Sequence, residues 1–142
     1  MLTTRHGAWL SIAVLVFLAL GCASAGTPRT IAPGDLASLS GVWNGTVIPP
    51  SGGGGAMNQE GTMTLAANGD YTVRVGAFVT QGKAQVKDGA LEMASTSTTG
   101  GLTTSQRTSR ATLSERPDGM LVLTGMGHSD AGPFNFEFTR RK

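Results

Sequence analysis

Beyond residue 40 the chain alternates apolar and polar residues with a period of two, and no stretch keeps the three-to-four spacing of an amphipathic helix. The alternation is cleanest in Phe134-Asn135-Phe136-Glu137-Phe138, apolar at each even position. The pattern predicts eight short strands, at 41–48, 61–66, 71–79, 83–87, 90–95, 107–115, 120–126 and 134–140.

The turns between these strands test the register, because a slip of one residue would carry a whole apolar row to solvent. A two-residue Asp88-Gly89 turn pairs Val86 with Leu91 and Ala84 with Met93, so a type I′ hairpin is expected there. At Asn68-Gly69 a two-residue turn would set Met63 against Arg74. A three-residue loop with Gly69 left-handed sets Leu65 against Tyr71 and Met63 against Val73, and that form is expected instead. Pro117-Asp118-Gly119 follows the same logic and places Leu113 opposite Leu123.

Successive hairpins of this kind predict an all-β fold. It is an eight-stranded antiparallel up-and-down meander that closes into a small barrel. The inward rows are expected to include Trp43, Val47, Tyr71, Val73, Val75, Val79, Phe134, Phe136 and Phe138, with Phe78 on the outer face. In a closed meander the last strand meets the first, which brings Trp43 beside the phenylalanine row.

The amino-terminal part follows different rules. Arg5 precedes an apolar run at 8–20, 13 residues long. That is short of the roughly 20 that span a bilayer, and it fits the apolar region of a secretory signal. The run ends in Ala19-Leu20-Gly21-Cys22. This resembles the bacterial lipobox, which implies a signal peptide over 1–21 and an acylated Cys22. It also implies a lipid-anchored protein of the cell envelope, with Ala23 pointing to the outer membrane and a periplasmic face. Cys22 is the only cysteine, so no internal disulfide can form. Residues 22–39 are mostly small and polar with two prolines and read as a flexible tether spanning about 20–25 Å. Asp35 is a candidate N-cap for one helical turn before the barrel, which occupies 40–142. Without the signal the chain carries ten basic and nine acidic residues, which gives no support to a nucleic-acid partner.

Gly41-Val42-Trp43 at the start of the first strand resembles the Gly-x-Trp signature of lipocalins and their calycin relatives. Gly69-Asp70-Tyr71 and the run from Asp118 to Gly125 also look like hairpins of small lipocalin-like bacterial lipoproteins. The resemblance covers about 39–142 and implies a tryptophan packed across the closed end of a barrel. It further implies an arginine over that ring, for which Arg140 is the candidate. The architecture is also similar to small barrel inhibitors of secreted bacterial metalloproteases.

Candidate chemistry is sparse. The glycines at 52–55 are not followed by the Lys and Ser/Thr of a phosphate loop, so they read as a loop between two strands. His128-Ser129-Asp130 holds the letters of a hydrolase triad, but adjacent residues do not supply its geometry. Glu92 and Glu137 fall on outward positions, Glu115 beside a turn, and 140–142 form a basic tail. Residues 95–105 read as a polar loop with Leu102 as its one apolar contact. No metal cluster, cofactor or enzymatic site is expected. A small apolar ligand is expected to meet Trp43, Met57, Tyr71, Phe134, Phe136 and Phe138. The alternative is binding of an envelope protein through the loops and the tether around Pro28 and Pro33.

Overall fold

The structure is a computed structural model that describes residues 26–49, 58–99, 107–129 and 132–142. The signal segment, Cys22, the 52–55 glycines, Met57, Leu102 and Asp130 lie outside the described residues. Strand β1 is Thr27–Arg29, followed by a 3-10 turn at Pro33–Asp35 and the single-turn helix α1 at Leu36–Leu39. The barrel strands are β2 (Gly41–Ile48), β3 (Gln59–Leu65), β4 (Asp70–Val75), β5 (Phe78–Lys87), β6 (Ala90–Thr99), β7 (Arg107–Glu115), β8 (Met120–Ser129) and β9 (Gly132–Arg141). Each pairs antiparallel with the next, and β9 pairs back to β2, so the eight strands close.

The three hairpins have the expected registers. Val86 faces Leu91, Leu65 faces Tyr71 and Leu113 faces Leu123. Asp88 and Gly89 both take positive φ, 49° and 73°, as a type I′ turn demands. Gly69 and Gly119 are left-handed at 90° and 79°. A fourth tight turn was not expected. Gly76 takes φ 56° and splits the 71–79 segment, with Val75 facing Phe78 across the turn. This exchanges two expected positions. Phe78 falls in the inward row at the lip of the barrel, where 47% of it is exposed. Val79 lies opposite Arg74 on the outer face.

Four inward aromatics of the lumen each face a glycine on a neighbouring strand. Gly127 faces Phe134, Gly125 faces Phe136, Gly45 faces Phe138 and Gly82 faces Tyr71. A Cβ on Gly127 would lie 2.5 Å from the Phe134 ring, and one on Gly82 would lie 2.7 Å from the Tyr71 hydroxyl. The aromatic side chains therefore lie across the neighbouring strand rather than end-on into the lumen, as glycines opposite aromatics allow. Gly45 has a second role. A Cβ there would strike the Glu137 carbonyl and come within 2.7 Å of Phe138 Cα, so this glycine permits the β2–β9 closure.

Residues 26–39, expected as part of a flexible tether, are instead fixed to the barrel. β1 pairs with the last residues of β7, Thr27 with Glu115 and Arg29 with Leu113, just past the point where β6 stops pairing with β7. The Ile31 amide donates to Gly89 O at 3.0 Å, and its side chain is 1% exposed. Leu36 packs at the β3–β4 turn, and Leu39 is buried in the core with Trp43. The segment thus crosses one end of the barrel and closes it. Asp35 stands at the N-cap of α1 but makes no side-chain capping bond to it; its Oδ2 instead accepts from the Ala32 amide at 2.9 Å, across the preceding 3-10 turn. Glu115 holds the start of the segment between Lys142, at 2.6 Å, and Arg29, at 3.4 Å. The hydrogen bond from Lys142, with the positive charges of Lys142 and Arg29, keeps the Glu115 carboxyl below its ordinary range. The sequence hid this docking because Ile31 is the only large apolar residue between Gly26 and Leu36.

Candidate functional site

The two ends of the barrel differ in kind. One carries the tight turns at 66–69, 88–89 and 116–119 and is crossed by residues 26–39. The other carries the 76–77 turn and the connections 49–58, 100–106 and 130–131, most of which lie outside the described residues.

Trp43 belongs to the crossed end. It is fully buried, and its indole Nε1 donates to Leu39 O at 3.0 Å. The Arg140 guanidinium carbon lies 5.0 Å from the ring centroid. Arg140 also donates to the carbonyl of Ser40 and, at 2.7 Å, to that of Ser38. One arginine on the last strand therefore holds the tryptophan of the first strand and the helix before it. A cation over an indole face is attracted by the ring quadrupole, by about 0.5–2 kcal/mol depending on solvent access. Gly41 makes the stack possible. It takes φ 132°, and a Cβ there would lie 2.9 Å from Arg140 Nη1.

A cavity of about 90 Å³ opens toward the other end. Val47 of β2 and Phe134, Phe136 and Phe138 of β9 form one wall. Tyr71, Val73, Thr80, Met93 and Ser109, from β4 to β7, form the opposite wall. The phenylalanine rings tilt against one another, with centroids 6.4 Å and 5.8 Å apart along the row. Among the described residues that line it, none is charged. Burial pushes the Tyr71 phenol up to about 12, so it stays protonated at neutral pH.

Of the residues expected to meet a ligand, the structure gathers Tyr71, Phe134, Phe136 and Phe138 around this cavity but not Trp43. The expectation that Trp43 meets a ligand is corrected. Its ring is consumed by Leu39 and Arg140 at the plugged end, and it has no free face. Thr80 and Ser109 are additions. Ser109 was legible, since it shares the parity of Ala111 and Leu113, but its hydroxyl masked an inward position. Thr80 became inward only because the turn at Gly76 resets the parity of β5.

Of His128-Ser129-Asp130, only the His128 side chain is described. His128 is exposed near the end of β8, and its carbonyl accepts from Arg107 at 2.9 Å. Among the described residues no three His, Cys, Asp or Glu side chains converge as a metal site. Glu92 and Glu137 bind Lys87 and Arg116 on the outer surface.

No family model matches the chain, and no curated protein or solved structure is significantly similar to it. The functional reading therefore rests on the geometry of the barrel itself.

Arg140→Lys keeps the charge but loses the planar fork that reaches Ser38 and Ser40 while covering the ring. Chemical denaturation should show a loss of about 1.5–3 kcal/mol, the scale of a charged hydrogen bond. An unchanged midpoint would mean that the stack carries no stability.

Proposed function

We propose that this chain is a lipid-anchored, non-catalytic barrel of the bacterial cell envelope, of calycin type, that binds a small apolar molecule at its open end. The observation that carries the reading is the uncharged cavity between the β9 phenylalanines and the β4–β7 wall. Its volume, about 90 Å³, is far below the roughly 300–1,000 Å³ of sites for drug-sized ligands. A bulky lipid or haem does not fit such a space; a single ring or a short chain does.

The stack of Arg140 on Trp43, with Gly41 beneath it, supports the calycin comparison, because the same pair was expected from the Gly-x-Trp resemblance. The protein-binding alternative loses part of its basis. It needed the segment around Pro28 and Pro33 as a free arm, and that segment pairs with β7 and buries Ile31.

In this reading Cys22 carries the acyl chains and faces the bilayer. Four peptide steps separate Cys22 from Gly26, where the fixed segment begins. That allows at most about 14 Å. The plugged end then lies against the membrane, and the open end faces away from it.

Two measurements test the two halves of this proposal. Cys22→Ser, expressed in a bacterial host, should move the protein from the membrane fraction to the soluble fraction and abolish incorporation of labelled fatty acid. Continued membrane association would remove the anchor. Titration of the full chain with toluene, followed by methyl and aromatic NMR, should shift Val47, Val73, Met93 and the three phenylalanines while Trp43 stays still. Absence of any response at those residues would remove the ligand site.

A further inference from the structure

The two walls of the cavity are chemically unequal. Among the described residues, the β2–β9 wall consists of Val47 and the three phenylalanines, whereas the β4–β7 wall includes the hydroxyl-bearing residues Tyr71, Thr80 and Ser109. Tyr71 is 6% exposed, and its hydroxyl makes no hydrogen bond to any described residue. Nor does the Ser109 hydroxyl. Among the described residues the one sealed polar side-chain atom without a partner is Arg140 Nε, so the Tyr71 hydroxyl is not sealed: it keeps access to the cavity and is free to bond what enters it. Core tyrosines are kept as tyrosine where the hydroxyl reaches a partner, and phenylalanine fills the same space otherwise. This barrel uses phenylalanine at all three inward aromatic positions of β9 and tyrosine once, on the facing wall.

We propose that the ligand is a neutral compound with a single ring and one oxygen acceptor. Its ring lies against Phe134, Phe136 and Phe138, and its oxygen accepts a hydrogen bond from Tyr71 Oη. The inference rests on the ligand-binding reading above and adds the chemistry of the occupant. The size limit comes from the cavity volume, about 90 Å³. Neutrality is argued from the described lining residues, which offer no cation to pair with a carboxylate or phosphate, so an anion among them would be desolvated and unpaired. The need for an acceptor follows from Tyr71. Its phenol keeps its proton at neutral pH, because burial raises its pKa to about 12. The hydroxyl can therefore donate into the cavity, and in this proposal the ligand supplies the accepting oxygen. The phenylalanine row suits a planar ring, which can pack edge-to-face or offset against its tilted members.

The test compares toluene, phenol and benzoate on the full chain and on Tyr71→Phe, following the shifts of the lining residues by NMR. The three probes share a ring and differ in the polar group. Phenol should lose about fivefold in affinity on Tyr71→Phe, the size of one neutral hydrogen bond, while toluene changes less than twofold. Benzoate should bind neither protein. Thermal unfolding of Tyr71→Phe should match the parent, because the removed hydroxyl had no partner. Equal effects of the substitution on phenol and toluene, or no effect on either, would overturn the role of Tyr71 while leaving the cavity as a binding site. Tight binding of benzoate would overturn the neutral ligand. If no probe binds the parent chain, the cavity holds only water, and the ligand-binding reading falls together with this inference.

Discussion

The stack of Arg140 on Trp43 is the contact through which the two ends of this chain meet. Trp43 is the third residue of the first barrel strand, and Arg140 lies near the end of the last. The same guanidinium binds the carbonyls of Ser38 and Ser40, and the same indole binds that of Leu39. The same two side chains therefore serve both the closure of the barrel and the attachment of the amino-terminal segment. A closed barrel needs its first and last strands to find each other across the whole sequence, which is the entropically costly step of such a topology. A fully buried tryptophan with its one polar atom satisfied gives that seam a single well-defined geometry.

The lumen above this plug is governed by a second constraint. An eight-stranded barrel has room for little more than its own side chains. Here the inward aromatics lie across glycines on the adjacent strands, which keeps each ring close to the wall. The space that remains is small and sits between the phenylalanine row and the hydroxyl-bearing wall. The same glycines that permit close strand approach thus also determine the size of the cavity. A larger side chain at Gly125 or Gly127 would press the ring opposite into the lumen and erase it.

Much of this was legible in the sequence, for a reason that can be stated. Asp88-Gly89, Asn68-Gly69 and Asp118-Gly119 each place glycine where the backbone must be left-handed, and only one register at each turn keeps the apolar rows together. The turn at Gly76-Ala77 escaped because one glycine between Val75 and Phe78 carries no such signature. Missing it inverted the faces of Phe78 and Val79. The docking of 26–39 escaped because its main contacts are backbone pairing with β7 and one isoleucine, neither of which makes a periodic pattern. Trp43 was legible as a buried residue, and the Gly-x-Trp resemblance implied the closed end of the barrel, but not what seals that end. That depends on where the amino-terminal segment crosses, and so on the carbonyl of Leu39.

The central claim is that Trp43, Leu39 and Arg140 form the joint on which barrel closure depends. Native-state hydrogen exchange of the Trp43 indole N–H tests it most directly, because that proton is bonded to Leu39 O and sealed beneath Arg140. The account predicts that it exchanges only through global unfolding, with the same protection as the slowest amides of β2 and β9. Exchange well ahead of those amides, with the sheet intact, would show that the plug opens on its own and would contradict the account.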